Sequence, residues 1–173
     1  FFIYLTKFLF IMLVKEHPKE KEHIAYFTME IGVSHKIPTY SGGLGILAGD
    51  LIKAYADLDL PVVGVTLLNE KGYFFQKIDD NGNQIESPVD WNVYDFMVPL
   101  PNKIAVTIEG RTVKIKAWKA TILGVNNAVV PVFFLDTDIE GNSDYDRKLT
   151  SFLYGGDRQY RLLQEIVLGI GGI

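Results

Sequence analysis

Gly42, Gly43 and Gly45 stand between a short apolar run and a segment of helical periodicity, and no other feature constrains the fold of this chain as tightly. Upstream, Ile24, Ala25, Tyr26, Phe27, Thr28 and Met29 form a mostly apolar run suited to a buried strand. Downstream, Leu44, Leu47, Ala48, Leu51, Tyr55 and Leu58 recur at helical spacing and predict a helix over residues 44–58. The glycines therefore lie on a strand-to-helix connection. A helix start leaves free N–H groups and the positive end of the helix dipole facing outward, which favours phosphate or carboxylate, and glycine lets such a group come close to the backbone. The run has neither G-x-G-x-x-G nor the Lys-Ser/Thr ending of a P-loop, and glycines before a helix also serve as plain tight connections.

The remaining pattern places this connection in an α/β domain. Residues 60–68 read as a second apolar strand, so residues 24–68 form a strand-helix-strand unit with parallel pairing and a right-handed crossover. Tyr73 to Ile78 and Gln84-Ile85 predict a hairpin turning at Asn81-Gly82, because both residue types tolerate positive φ. A second alternating pair, residues 103–108 and 111–118, flanks a tight turn at Glu109-Gly110. Residues 129–135 predict another strand, with Pro131 indicating an edge or irregular pairing. Residues 146–168 read as helices separated near Gly155-Gly156. Such an order is that of an α/β domain carrying antiparallel β-hairpin insertions.

Composition narrows the partners. With 173 residues, 48% of them hydrophobic and 22% charged, the chain is long enough for one domain with a sizeable core. A net charge of −4 argues against a broad nucleic-acid surface. The absence of cysteine excludes disulfides, thiolate nucleophiles and thiolate metal sites and is compatible with a cytoplasmic location. His17, His23 and His35 have no metal-ligand spacing, so no metal is expected. Phe1 to Val14 is strongly apolar, but Lys7 interrupts it and it falls short of the roughly 18 residues that signal a spanning helix. It lacks the basic start and small-residue cleavage site of a signal peptide, so no membrane association is expected. Residues 1–23 are an N-terminal extension of unclear origin, and both ends of the chain read as cut.

Four ordered blocks carry a resemblance. They are Tyr26 to Gly32, Pro38 to Asp50, Lys71 to Gln76, and Tyr154 to Glu165 with Leu168 to Gly172 beyond it. Together they resemble the α-glucan (glycogen, starch, maltodextrin) phosphorylases, especially the short bacterial and archaeal members, over residues 23–173. The resemblance implies part of the N-terminal Rossmann-like lobe of a GT-B glycosyltransferase fold over residues 24–173, without the C-terminal cofactor lobe. It implies a parent that phosphorolyses α-1,4-glucan with inorganic phosphate to glucose 1-phosphate, assembles as a homo-oligomer and uses pyridoxal phosphate. The Schiff-base lysine for that cofactor corresponds to none in this chain, so the fragment alone is expected to be inactive.

By the same resemblance, Gly42, Gly43, Leu44 and Gly45 face the phosphate, Tyr26 lies near the cofactor, and no catalytic residue is assigned. Ser41 departs from the Asn often found before this loop in longer phosphorylases. A glycogen or starch synthase lobe is the nearest alternative. Its Lys-x-Gly-Gly-Leu-Gly-Asp pattern is not met, since Tyr40 to Ile46 supply neither that Lys nor that Asp. A non-catalytic remnant or carbohydrate-binding module is another alternative.

Each remaining candidate has a plainer structural reading. Tyr26 can pack in the sheet, Glu30 can hold a loop, and Asp50 reads as structural or solvated. Tyr73, Phe74 and Phe75 can shape a sugar-binding surface, but aromatics on a strand read first as core, and Trp91 and Trp118 share the ambiguity. Asp79, Asp80, Asp136 and Asp138 read as turn and strand-end residues more simply than as an acid/base pair. Arg158 and Arg161 can pair with Asp157 and Glu165 along the final helix, the latter at i,i+4, and read first as a solvated or interlobe network.

Overall fold

In a computed structural model, which describes residues 23–173, strands β1 (Ile24–Phe27) and β2 (Val62–Leu67) pair in parallel, Ile24 opposite Val62, and helix α1 (Gly43–Asp57) joins them. The expectations for residues 1–22 lie outside the described residues. Next come a separate hairpin of β3 (Phe75–Ile78) and β4 (Gln84–Ser87) and three long strands, β5 (Val98–Ile108), β6 (Arg111–Leu123) and β7 (Val129–Asp136). The short helix α2 (Asp144–Arg147) and then α3 (Arg158–Gly171) end the described chain. The main sheet has the order β1-β2-β7-β6-β5, antiparallel across β5-β6-β7 and parallel across β7-β2-β1. This is an α/β architecture with a mixed sheet. Among the described residues no helix is long and apolar enough to cross a membrane.

Alternation along the strands divides the core into two layers. Val130, Val132 and Phe134 of β7 and Trp118 and Ala120 of β6 face α1, where Ala48, Ile52 and Ala56 meet them. Leu135 of β7 and Val113 and Ile115 of β6 face the other way, against Leu163, Val167 and Leu168 of α3. Period-two side-chain direction thus lets one sheet carry a helix on each face.

Several expectations are corrected here. β1 is an edge strand rather than a buried one, and Ile24 is 62% exposed, because among the described residues no strand borders its outer side. Pro131 lies in the central strand β7, not at an edge. Pairing with β2 begins only at Val132, so the missing N–H falls where β6 alone borders the strand.

The buried face of α1 is also rotated from the one the leucines mark. Gly45, Ala48, Gly49, Ile52 and Ala56 are buried, whereas Leu44, Leu47 and Leu58 are exposed. Close approach of α1 to the chain after β1 selects small residues on that face, and leucine there would hold the helix away.

The tight turn at Glu109-Gly110 forms as expected, whereas the Asn81-Gly82 turn differs. Glu109 (φ 49°) and Gly110 (φ 78°) form the two-residue turn with both residues left-handed. Asn81 is not left-handed; in the longer β3–β4 loop Gly82 alone is (φ 83°). There the Asp79 carboxylate accepts the N–H groups of Asn81 and Asn83 at 2.9 and 2.7 Å. Hydrogen bonds from Asn83 hold the Asp79 carboxyl below its ordinary range.

Candidate functional site

The four sequence blocks converge at the carboxyl ends of the parallel strands, where open α/β sheets place their ligands. Glu30 follows β1, Asn69 to Gly72 follow β2, and Asp136 closes β7. Three backbone and side-chain links fasten the chain after β1 to the glycine run. Ile31 N–H donates to the Thr39 carbonyl at 2.9 Å, Thr39 Oγ1 donates back to the Ile31 carbonyl at 2.8 Å, and Gly32 N–H donates to the Gly45 carbonyl at 2.7 Å. Thr39 is fully buried, so this clasp is shielded from competing water.

The glycines fall into two groups. Gly45 and Gly49 have packing reasons. A Cβ at 45 would overlap Tyr40 and stand 3.0 Å from Glu30 Oε2, and one at 49 would overlap the Gly32 carbonyl. Gly42 and Gly43 have none, since a Cβ on either would meet nothing within 4 Å. Gly42 is the N-cap of α1, with extended backbone (φ −157°) and no side-chain cap, and no acidic residue stands in the first turn. The first intrahelical bond of the turn is that of Ile46 N–H to the Gly42 carbonyl at 3.2 Å. The N–H groups of Gly43, Leu44 and Gly45 precede it and lack an intrahelical acceptor. An exposed, glycine-flanked helix start with an uncompensated dipole is suited to an anion.

Glu30 supports this loop from behind. It is 4% exposed; its Oε2 accepts Ser41 N–H at 2.9 Å and its Oε1 accepts the Tyr154 hydroxyl at 2.6 Å. The Tyr154 phenol is pushed up to about 12, first by that hydrogen bond. The fourth block thereby reaches the first, a link that no local spacing in the sequence signals. Gly72 (φ 58°) ties in the third block. A Cβ there would stand 2.7 Å from the Pro38 carbonyl oxygen, and the Gly72 carbonyl accepts Leu153 N–H at 3.0 Å. Asn69 is also buried and left-handed (φ 44°), and its Nδ2 donates to the Met29 carbonyl at 3.3 Å.

The other candidates find their places. Tyr26 is half-buried on β1 and packs against the core beneath α1. Asp50 is exposed and approaches Lys53 at 3.8 Å. Tyr73 and Phe75 are exposed and Phe74 half-buried, which corrects their reading as core. With Tyr40, Ser41 and Trp91 they border a depression of about 470 Å³ beside the glycine loop. Trp118 is buried and donates Nε1–H to Asp136 Oδ2 at 3.0 Å, and Lys116 Nζ pairs with the same oxygen at 3.0 Å. Asp138 pairs with Arg147 at 2.6 Å, so both carboxylates have structural partners, as the plainer reading expects.

Arg158, Arg161 and Glu165 are exposed, in keeping with a solvated face, and no ion pair of these arginines with Asp157 or Glu165 forms among the described residues. Asp157 instead caps α3 by accepting Tyr160 N–H at 2.9 Å, and the Arg161 guanidinium lies 5.7 Å from the centre of the Tyr154 ring.

Comparison with known proteins adds an independent finding. The carbohydrate phosphorylase family model matches residues 38–153. The chain is 43% identical over 164 residues to a maltodextrin phosphorylase of Thermococcus litoralis, an alignment covering 91% of this chain and 19% of the relative. It is 39% identical over 159 residues to a glycogen phosphorylase of Mycobacterium tuberculosis, covering 87% of this chain and 18% of the relative. A glycogen phosphorylase of Aquifex aeolicus is 33% identical over 159 residues, with 88% and 22% covered. The chain spans about a fifth of the length of these curated relatives.

Proposed function

Because the chain belongs to the carbohydrate phosphorylase family, we propose that it forms part of an α-1,4-glucan phosphorylase, which cleaves glucan with inorganic phosphate to release glucose 1-phosphate. The observation that carries the reading is the contrast among the glycines. Gly42 and Gly43 stand exposed with open space where a side chain would be, directly before the free N–H groups of Gly43, Leu44 and Gly45. Phosphorolysis brings anionic phosphate to a glucosyl centre that develops positive charge, and preorganised backbone donors hold the anion without adding a competing acid. The mixed sheet, with its parallel β1-α1-β2 unit, is compatible with part of the N-terminal lobe of a GT-B fold over residues 24–173.

Pyridoxal phosphate belongs to the same proposal. Tyr26 offers one phenol, half-buried on an edge strand and packed against the core beneath α1, which suits the flank of a cofactor ring and not its anchorage. The cofactor, when bound, supplies a phosphate that donates and accepts a proton. This chain's own part is to orient the substrate phosphate through Gly42, Gly43, Leu44 and Gly45, and the chain by itself is proposed to be inactive.

The polypeptide encoded by the whole reading frame, given pyridoxal phosphate, inorganic phosphate and maltodextrin, is expected to release glucose 1-phosphate. Failure to release it, in a folded and cofactor-loaded protein, overturns the proposal.

A further inference from the structure

Glu30 is a buried carboxylate, and none of the five ion pairs among the described residues includes it. Burying a charge without a cation is costly unless hydrogen bonds and dipoles compensate for it. Here the compensation comes from Ser41 N–H at 2.9 Å, from the Tyr154 hydroxyl at 2.6 Å and from the positive end of α1, where a Cβ on Gly45 would stand only 3.0 Å from Glu30 Oε2. Tyr154 itself sits in a left-handed conformation (φ 56°) that a bulky residue rarely adopts, and left-handed Gly156 (φ 72°) follows shortly after. A strained backbone is retained where surrounding contacts over-determine it, and the hydroxyl contact to Glu30 is one such contact.

We infer that Glu30 and Tyr154 are positioning residues for the glycine loop. Glu30 removes the Ser41 N–H from the set of free donors and fixes the peptide leading into Gly42, so that the N–H groups of Gly43, Leu44 and Gly45 remain as the anion-facing set. Tyr154 holds the carboxylate in the orientation that does this. The same pair joins the first and last sequence blocks, 124 residues apart, so the geometry of the loop depends on the segment that precedes α3. The inference rests on the reading of the loop as phosphate-facing for its ligand, but not for the positioning itself.

A test uses the 173-residue chain labelled with ¹⁵N, as wild type, Tyr154→Phe, Glu30→Ala and Glu30→Gln, with inorganic phosphate as the probe. In Tyr154→Phe and Glu30→Ala, exchange of the Ser41 amide should quicken by about tenfold, and phosphate affinity read at the Gly43, Leu44 and Gly45 amides should fall by a similar factor. Core amides such as that of Phe134 should keep their exchange rates.

Glu30→Gln is the conservative rescue. Its amide oxygen can accept Ser41 N–H while its amide nitrogen donates to the Tyr154 oxygen, so loop order and phosphate affinity should be kept. The Tyr154 phenol should then ionise nearer its ordinary value, a spectroscopic change that packing alone does not produce. Unchanged Ser41 exchange in both Tyr154→Phe and Glu30→Ala overturns the inference. If Glu30→Ala fails to fold, Tyr154→Phe decides alone, since it removes one hydroxyl from a residue that is 40% exposed and leaves the ring in place. If wild type shows no phosphate-dependent shift at the three amides, the phosphate reading fails, and Ser41 exchange still decides the positioning.

Discussion

Gly49 of α1 lies against the carbonyl of Gly32, so close that a Cβ at position 49 would overlap that oxygen. The atom in the way is backbone, in a residue whose N–H is tied to the Gly45 carbonyl at 2.7 Å, so it cannot swing aside as the end of a flexible side chain can. Gly49→Ala should therefore destabilise the fold by about 3 kcal/mol. Gly43→Ala, in the same helix but with open space around it, should be neutral or stabilise by about 0.5–1 kcal/mol. Chemical denaturation of the two variants separates packing glycine from open glycine. Equal effects would contradict the division drawn above.

The Tyr154–Glu30 hydrogen bond makes a signed prediction for pH. The folded-state phenol is raised to about 12 from its ordinary value of 10.0, chiefly by donating to Glu30. A group raised on folding contributes stability that is complete below its unfolded value and disappears as pH rises through the folded one. The stability difference between wild type and Tyr154→Phe should hold steady below pH 10 and shrink between pH 10 and about 12. A difference that grew with pH over that range would contradict the assignment of Glu30 as the acceptor.

Asp136 and Asp138 lie two residues apart and should behave differently. Asp136 is 5% exposed and holds Trp118, Lys116 and the Asp138 N–H, so Asp136→Ala strands buried donors and should cost about 3 kcal/mol. Asp138→Ala loses an exposed pair with Arg147 and should cost less than about 1 kcal/mol. Urea denaturation midpoints measure both.

In the β5–β6 turn Gly110 is left-handed, whereas Asn81 in the β3–β4 loop is not. Gly110→Ala should cost about 1–2 kcal/mol, the penalty for a Cβ in that conformation, and Asn81→Ala should cost only a few tenths. Thermal unfolding of the two variants checks this difference between the turns.

The β-α-β unit, the hairpins and the helical close were legible in the sequence because each depends on local periodicity and turn chemistry. The family resemblance, now carried by the family match over residues 38–153, was legible for the same reason, in short blocks with fixed order. The inward face of α1 was not. Leucine spacing marks the apolar side of an isolated helix, but in the protein that side is exposed at Leu44 and Leu47, while Ala48, Ile52 and Ala56 meet the sheet and Gly45 and Gly49 meet the chain after β1. The aromatics after β2 misled similarly, since strand propensity cannot report that β3 and β4 stand apart from the main sheet.

From the sequence alone came the strand, the glycine run and the helix, and with them a helix start able to hold an anion. Local chemistry suffices for these, because φ freedom, free N–H groups and side-chain period are properties of neighbouring residues. Tertiary structure alone decided which glycines are packed and which are open, and that Tyr154 reaches back to Glu30. Both depend on distances between segments far apart in the chain, and only the folded sheet sets those distances.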